Sequence, residues 1–119
     1  MFRKIDGNIL SIQDHENNVV LTIEVMSAEE TAVLIVSGRM THDAAPEFED
    51  ELMAVLTTKH KAIVDFSALE YISAPALNTL LSVQKLVEKN RFEFCLRNVT
   101  GAVKETFETT GFIDLIEIC

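Results

Sequence analysis

Two hydrophobic patterns alternate along the chain after residue 31, and this alternation limits the fold more than any other feature. Three short segments rich in apolar residues, Ala32–Ser37, Ala62–Phe66 and Phe92–Leu96, are typical of strands. Between and after them, apolar residues recur every three or four positions, as on one face of a helix. Strands and helices that alternate at this spacing form parallel pairs with right-handed crossovers. The sequence therefore predicts an α/β fold with a βαβαβα core.

The residues before this core predict additional strands. Val19–Val25 alternates apolar and polar side chains, so we expect a strand with one wet face that pairs antiparallel with Ala32–Ser37 through a turn at Ser27–Glu30. The uninterrupted apolar run of Ala32–Ser37 favours a strand buried on both faces. Residues 1–18 have three open interpretations, which are an extra strand pair that includes Ile9–Ile12, a dimer contact, or a loose tail.

We expect a mixed sheet of about four to six strands, an N-terminal strand pair before the core, and about three to four helices mainly on one face. The sequence has 119 residues and no Pro-, Gly- or Ser-rich linker. We therefore expect one domain over residues 1–119, with residues 1–18 as an N-terminal extension.

The first two helices have recognisable starts. The apolar stripe from Phe48 to Leu56 predicts the first helix, with Asp43 as its N-cap and Pro46 in its first turn. The second helix is expected from about Ala74 to Lys89, with Ser73 as the N-cap.

The remaining connections are predicted from shorter patterns. Ser67–Ile72 is expected to connect the second core strand to the second helix. Val103 and Phe107 predict a third helix that ends at Gly111, because glycine accepts the left-handed conformation after a helix. Ile113–Ile118 is expected to form a last strand or an edge segment.

The charge of the chain excludes several classes of partner. The net charge is −9, and no basic face of the kind that binds nucleic-acid phosphates is evident. No apolar run approaches the roughly 20 residues of a membrane-spanning helix, and no signal peptide is recognisable. We expect a soluble, cytoplasmic protein with no nucleic-acid partner and no direct membrane insertion.

The two cysteines, Cys95 and Cys119, show no metal-ligand spacing. A disulfide between them has no support in the sequence pattern. We expect a reducing compartment and a reduced Cys95 that acts as a small hydrophobic residue in its strand.

No enzyme motif is recognisable. The sequence lacks phosphate-binding glycine loops and nucleophile motifs, so no catalytic residue, metal site or cofactor is expected. Thr41, His42 and Asp43 could supply an acid–base pair. We favour the interpretation that Thr41 and Asp43 only start the first helix.

The segment from Asp65 to Leu77 is the main candidate for a functional site. It leads from the carboxyl end of a parallel strand to the start of a helix, where ligand sites in open α/β sheets collect. Free N–H groups at the helix start also favour a phosphoryl group. Every strand–helix unit has such a junction, so the spacing alone is a weak indication of function.

The order of residues in this segment resembles the STAS domain. Asp65 begins the pattern Asp-Phe-Ser-x-Leu-x-Tyr-Ile, which is followed by small residues and by a helix that starts Leu-x-x-Leu-Leu at Leu77. The resemblance extends to Val33–Met40 upstream, and to Phe92–Asn98 and Val103–Gly111 downstream. STAS domains occur as anti-sigma factor antagonists and as the tails of sulfate transporters.

The resemblance implies a phosphorylation site that this chain has altered. In the family, the junction reads Asp-Ser-Ser/Thr-Gly-Leu, and a partner kinase that is also the anti-sigma factor phosphorylates the first serine, which blocks binding. Ser73 stands at the aspartate and Ala74, which has no hydroxyl, at that serine. Pro75 and Ala76 replace the next two residues, and Leu77 matches. Ser73 is a candidate for a shifted acceptor, although its N-cap role explains it equally well.

The resemblance also implies a partner. We expect a non-catalytic module of a bacterial partner-switching pathway for transcription regulation, which binds an anti-sigma factor with a histidine-kinase-like serine kinase fold or another STAS protein. A homodimer is a further candidate. The first alternative is a STAS-type accessory subunit of a membrane lipid ABC transport complex, and the remote one a small hydrolase or nucleotide-binding protein. The residues expected to contact the partner are Thr41, His42, Tyr71, Ile72, Ser73, Ala74, Pro75 and Leu77.

Overall fold

The computed structural model describes residues 1–119 and contains six strands, three α-helices and one 3₁₀ turn. The predicted α/β fold is confirmed. The strands are β1 Phe2–Asp6, β2 Ile9–Gln13, β3 Val19–Ala28, β4 Thr31–Met40, β5 Lys61–Ile72 and β6 Glu93–Arg97. The helices are α1 Ala45–Lys59, α2 Ala74–Lys89 and α3 Gly101–Thr110, and the 3₁₀ turn is Phe112–Asp114. No helix combines the length and the apolar character that a membrane crossing requires.

The six strands form one mixed sheet in the order β1-β2-β3-β4-β5-β6. The first four strands pair antiparallel, and β4, β5 and β6 pair in parallel through α1 and α2. The predicted pairing of the two strands that flank Ser27–Glu30 is confirmed, with Ile23 opposite Val36. Residues 1–18 form an extra strand pair, which is one of the three interpretations that the sequence left open.

The two faces of the sheet have different environments. Leu34, Val36 and Val64 on one face belong to the core, in which they are packed with residues of all three helices, such as Phe48, Leu80 and Phe107. On the other face, Val33, Ile35 and Ile63 are only half-buried and do not pack against this core. The expectation that Ala32–Ser37 is buried on both faces is therefore wrong, because the core lies against only one face of the sheet.

The start of α1 differs from the expectation. The N-cap residue is Ala44 and not Asp43. The turn before the helix is instead stabilised by Thr41, whose Oγ1 accepts a hydrogen bond from the Ala44 N–H at 3.2 Å and whose carbonyl accepts one from the Ala45 N–H at 3.0 Å. Pro46 lies in the first turn, as predicted.

β5 is longer than the sequence indicates. Ser67–Ile72 was expected to be a connection, but it continues the strand and stays paired with β4 up to Met40 opposite Ile72. Two irregularities in the β4–β5 register let this half of β5 turn Leu69 and Ile72 into the core. The expectation was wrong because a partner strand of ten residues, β4, supports the whole length of β5.

Gly38 in β4 is required by the close approach of β3. Its φ is +102°, and a Cβ at this position would lie 2.5 Å from the Val20 carbonyl oxygen. A side chain is therefore excluded by both the conformation and the contact.

The last residues of the sequence return to the sheet. A parallel bridge joins Ile118 to Leu96 in β6, so the edge segment predicted over Ile113–Ile118 is confirmed only at its end, since Ile113 lies in the 3₁₀ turn. Cys95 and Cys119 form a disulfide. The expectation of a reduced Cys95 is therefore wrong, because the returning segment places Cys119 beside β6, and no local pattern in the sequence shows that proximity.

Candidate functional site

The carboxyl ends of β4 and β5 lie side by side at the predicted junction. Met40 pairs with Ile72, and the Ser73 N–H donates a hydrogen bond to the Met40 carbonyl at 3.0 Å. Thr41 and Ser73, the next residues in each segment, are therefore neighbours. The structure thus brings together the two stretches predicted to contact a partner, although they are about thirty positions apart in the sequence.

Ser73 is the N-cap of α2, as predicted. Its backbone is extended, and its Oγ accepts a hydrogen bond from the Ala76 N–H at 3.2 Å. The Ser73 carbonyl accepts the first helical hydrogen bond, from the Leu77 N–H, at 3.2 Å. The half-buried hydroxyl therefore satisfies one of the free N–H groups at the helix start.

The other predicted residues of this segment divide between surface and core. Ala74 and Pro75 begin α2 and are exposed, so a methyl group and a proline ring face the solvent at the start of the helix. Ile72 is 2% exposed and Leu77 is fully buried. These two side chains support the junction from the core and do not present a surface to a partner.

Tyr71 forms a contact that the sequence reasoning missed. The Arg39 guanidinium lies over the Tyr71 ring, with its central carbon 4.3 Å from the ring centre. Arg39 is opposite Tyr71 in the β4–β5 register, and Tyr71 remains 38% exposed. The pair forms an exposed cationic and aromatic surface beside the start of α2. Only the strand register could have revealed it, because nothing local in the sequence connects Arg39 to Tyr71.

Thr41 and His42 lie at the other side of the junction. Thr41 is half-buried, since its hydroxyl stabilises the turn before α1. The His42 Nε2 lies 3.1 Å from an Asp43 carboxylate oxygen, and both side chains are more than half exposed. This pair lies in open solvent and is not enclosed in a cleft of the kind that typical acid–base sites use.

Asp65 is the only buried charged residue, and it connects the middle of β5 to the end of β6. Its carboxylate accepts hydrogen bonds from the Ser67 N–H at 2.8 Å, from Arg97 Nε at 3.1 Å and from Asn98 Nδ2 at 3.1 Å. The Arg97 Nη2 lies 3.0 Å from the same carboxylate and completes an ion pair. Burial raises the pKa of the Asp65 carboxyl, but the hydrogen bonds from Ser67, Arg97 and Asn98 together outweigh it and lower that pKa. Asp65 therefore remains ionised and ties β5 to the end of β6.

Most of the chain matches the sequence model of one protein family. The model of the STAS domain matches residues 22–119, which include β4, β5, the junction and all three helices.

Individual proteins show the same similarity. A relative from Bordetella bronchiseptica, BtrV, whose name places it among the anti-sigma factor antagonists, is 26% identical over 87 residues, which are 72% of this chain and 75% of that protein. The structure of an anti-sigma factor antagonist from Mycobacterium paratuberculosis has a TM-score of 0.71 at 20% identity and covers 90% of this chain and 89% of its own. The unphosphorylated form of the Bacillus antagonist SpoIIAA has a TM-score of 0.65 at 17% identity, and the match covers 82% of this chain and 87% of that one. The two structures show that the fold is shared.

Proposed function

The chain belongs to the STAS domain family, and from this membership we propose that it is a non-catalytic interaction module of the anti-sigma factor antagonist type. Its partner is an anti-sigma factor that is also a serine kinase, in a partner-switching pathway. The names of BtrV and SpoIIAA support this assignment, because both proteins are described as anti-sigma factor antagonists.

The proposed contact region is the exposed ridge at the carboxyl ends of β4 and β5, together with the start of α2. We name it the junction surface. It offers an aromatic ring and a guanidinium, two groups that are enriched in the central contacts of protein interfaces, with small apolar groups beside them. The side chains are held by the β4–β5 pairing and by the Ser73 cap, so little order has to be gained on binding. The junction surface consists of Arg39, Thr41, His42, Tyr71, Ser73, Ala74 and Pro75.

Ala74 is the observation that shapes the proposed regulation. It is exposed in the first turn of α2, where the family resemblance places the phosphorylated serine, and it offers no hydroxyl. The nearby Ser73 hydroxyl is engaged as the helix cap. We propose that kinase activity does not end binding at this position, so that the chain binds its partner without the usual phosphorylation switch.

The proposal is tested by titration against each histidine-kinase-like anti-sigma factor of the same genome. Saturable binding to one of them is expected, and Tyr71→Ala should weaken it about tenfold because an exposed aromatic anchor is removed. Met26→Ala is the control, since Met26 is a large exposed side chain on β3 that pairs with Val33 near the start of β4, at the other end of the sheet from the junction surface. Absence of binding to all candidates, or equal weakening by both substitutions, would contradict the proposed interface.

A further inference from the structure

The segment 117–119 lies along the outer edge of β6. The Leu96 N–H donates a hydrogen bond to the Glu117 carbonyl at 3.0 Å, and the Cys119 N–H donates one to the Leu96 carbonyl at 2.9 Å. Both backbone groups of Leu96 that face away from β5 are therefore satisfied. The segment acts as a short extra edge strand, and it covers groups that would otherwise be available to a strand from another chain.

The segment has few other attachments. The Gln84 side chain of α2 donates from Nε2 to the Leu115 carbonyl at 2.6 Å and accepts at Oε1 from the Glu117 N–H at 3.1 Å. Ile116 is buried in the core, but Leu115 and Ile118 are 52% and 43% exposed. Little apolar area therefore holds the segment in place, and its position depends strongly on any covalent link.

The Cys95–Cys119 disulfide is that covalent link. Cys95 is half-buried on β6 and Cys119 is exposed, so a reductant can reach the pair from the Cys119 side. Both cysteines line an open hollow of about 310 Å³, together with Phe92, Phe94 and Glu117. Structural disulfides that resist reduction are typically enclosed, whereas exposed ones are the labile and regulatory ones.

We propose that Cys95 and Cys119 form a reversible thiol–disulfide site that controls whether segment 117–119 covers the edge of β6. In the oxidised state the segment is closed, and in the reduced state it opens and leaves the Leu96 N–H and carbonyl unpaired. This assignment is independent of the proposed binding function. A reversible disulfide is also compatible with the reducing compartment that the sequence leads us to expect, because the pair then forms only under oxidising conditions.

The reaction is an exchange with a dithiol. One thiolate of the dithiol attacks the Cys119 sulfur, the Cys95–Cys119 bond breaks, and the Cys95 thiolate leaves and takes up a proton. The second thiolate of the dithiol then attacks the dithiol sulfur that is bonded to Cys119. This step releases the Cys119 thiolate, which is also protonated. The protein disulfide gains two electrons and two protons, and the dithiol is oxidised to a disulfide. The reverse reaction uses a small disulfide, such as glutathione disulfide, as the oxidant.

The site is tested on the full chain in two states, after incubation with glutathione disulfide and after incubation with dithiothreitol. Alkylation followed by intact mass measurement should find no free thiol in the first state and two in the second. Hydrogen exchange at the Leu96 amide should become about tenfold faster on reduction, because the segment opens locally, while amides inside β4 should keep their protection.

Cys119→Ser separates this effect from general effects of the reagents. In that variant the Leu96 amide should exchange at the fast rate in both states. Two alkylatable thiols after treatment with the oxidant would overturn the proposal, as would a Leu96 exchange rate that is the same in oxidised and reduced protein.

Discussion

Asp65 has the features of a catalytic or ligand-binding carboxylate, but its role is structural. A buried carboxylate beside an arginine would suggest a catalytic acid or a ligand site. Here its two oxygens receive all their hydrogen bonds from Ser67, Arg97 and Asn98, so no partner is missing. The charge therefore serves to join the middle of β5 to Arg97 at the end of β6 and to Asn98 after it.

Replacement of Asp65 tests this role through stability. Asp65→Asn should lower the free energy of unfolding by about 2 kcal/mol at neutral pH, because charge-assisted hydrogen bonds are lost in a buried place. The pKa of Asp65 is lower in the folded chain than its ordinary value of 3.8. The stabilisation should therefore be complete above that value and should disappear as the pH falls through the lower folded-state pKa.

Urea unfolding of the wild-type protein and Asp65→Asn across this pH range measures the effect. Asp6→Asn is the control, since Asp6 is an exposed aspartate for which no such network exists. A stability difference for Asp65→Asn that does not change as the pH falls below 3.8 would show that the carboxylate charge is not responsible.

At the scale of the element, α2 shows which parts of the site can be predicted from sequence. Ser73, Pro75 and the apolar repeat are local signals, and the predicted range of α2 agrees with the structure. The cap depends on a side chain and an N–H only three residues apart. Such short-range geometry is determined by the local sequence alone.

The strength of this cap can be measured. Ser73→Ala should lower the free energy of unfolding by about 1 kcal/mol, because the Ala76 N–H loses its hydrogen-bond partner. Thr100→Ala is the matched control, because Thr100 is the N-cap of α3 but makes no side-chain hydrogen bond there. Its cost should remain below about 0.5 kcal/mol. Equal losses in thermal or urea unfolding would contradict the assigned role of the Ser73 hydroxyl.

Elements that depend on distant partners could not be predicted. Ser67–Ile72 continues as a strand only because β4 extends beside it, and the Arg39–Tyr71 contact follows from that same register. Asp43 was expected as the N-cap of α1 because its residue type favours caps, but Thr41 stabilises that turn. The Cys95–Cys119 pair likewise depends on where the last segment returns. In each case the deciding contact is set by pairing or packing that no local pattern encodes.

At the scale of the whole molecule, the residues that stabilise the fold and the residues of the proposed binding surface lie in different regions of the sheet. The core lies between one face of the sheet and the helices, whereas the junction surface lies at the carboxyl ends of β4 and β5. Side chains on that rim can change without loss of the core. This separation explains how the STAS fold can persist while the residues of the junction surface vary.

The central claim is that the junction surface contacts the anti-sigma factor/serine kinase and that the uncharged Ala74 belongs to this contact. The affinity for that partner tests the claim most directly. The dissociation constants of the wild-type protein, Ala74→Glu and Ala54→Glu should be compared by calorimetric titration. Ala54 is also exposed and helical, but it lies in the second half of α1, away from the junction surface. Ala74→Glu places a negative charge in the middle of the proposed binding surface and should weaken binding at least about tenfold, whereas Ala54→Glu should change it less than about twofold. Unchanged affinity of Ala74→Glu, or equal weakening by both variants, would contradict the proposed binding surface.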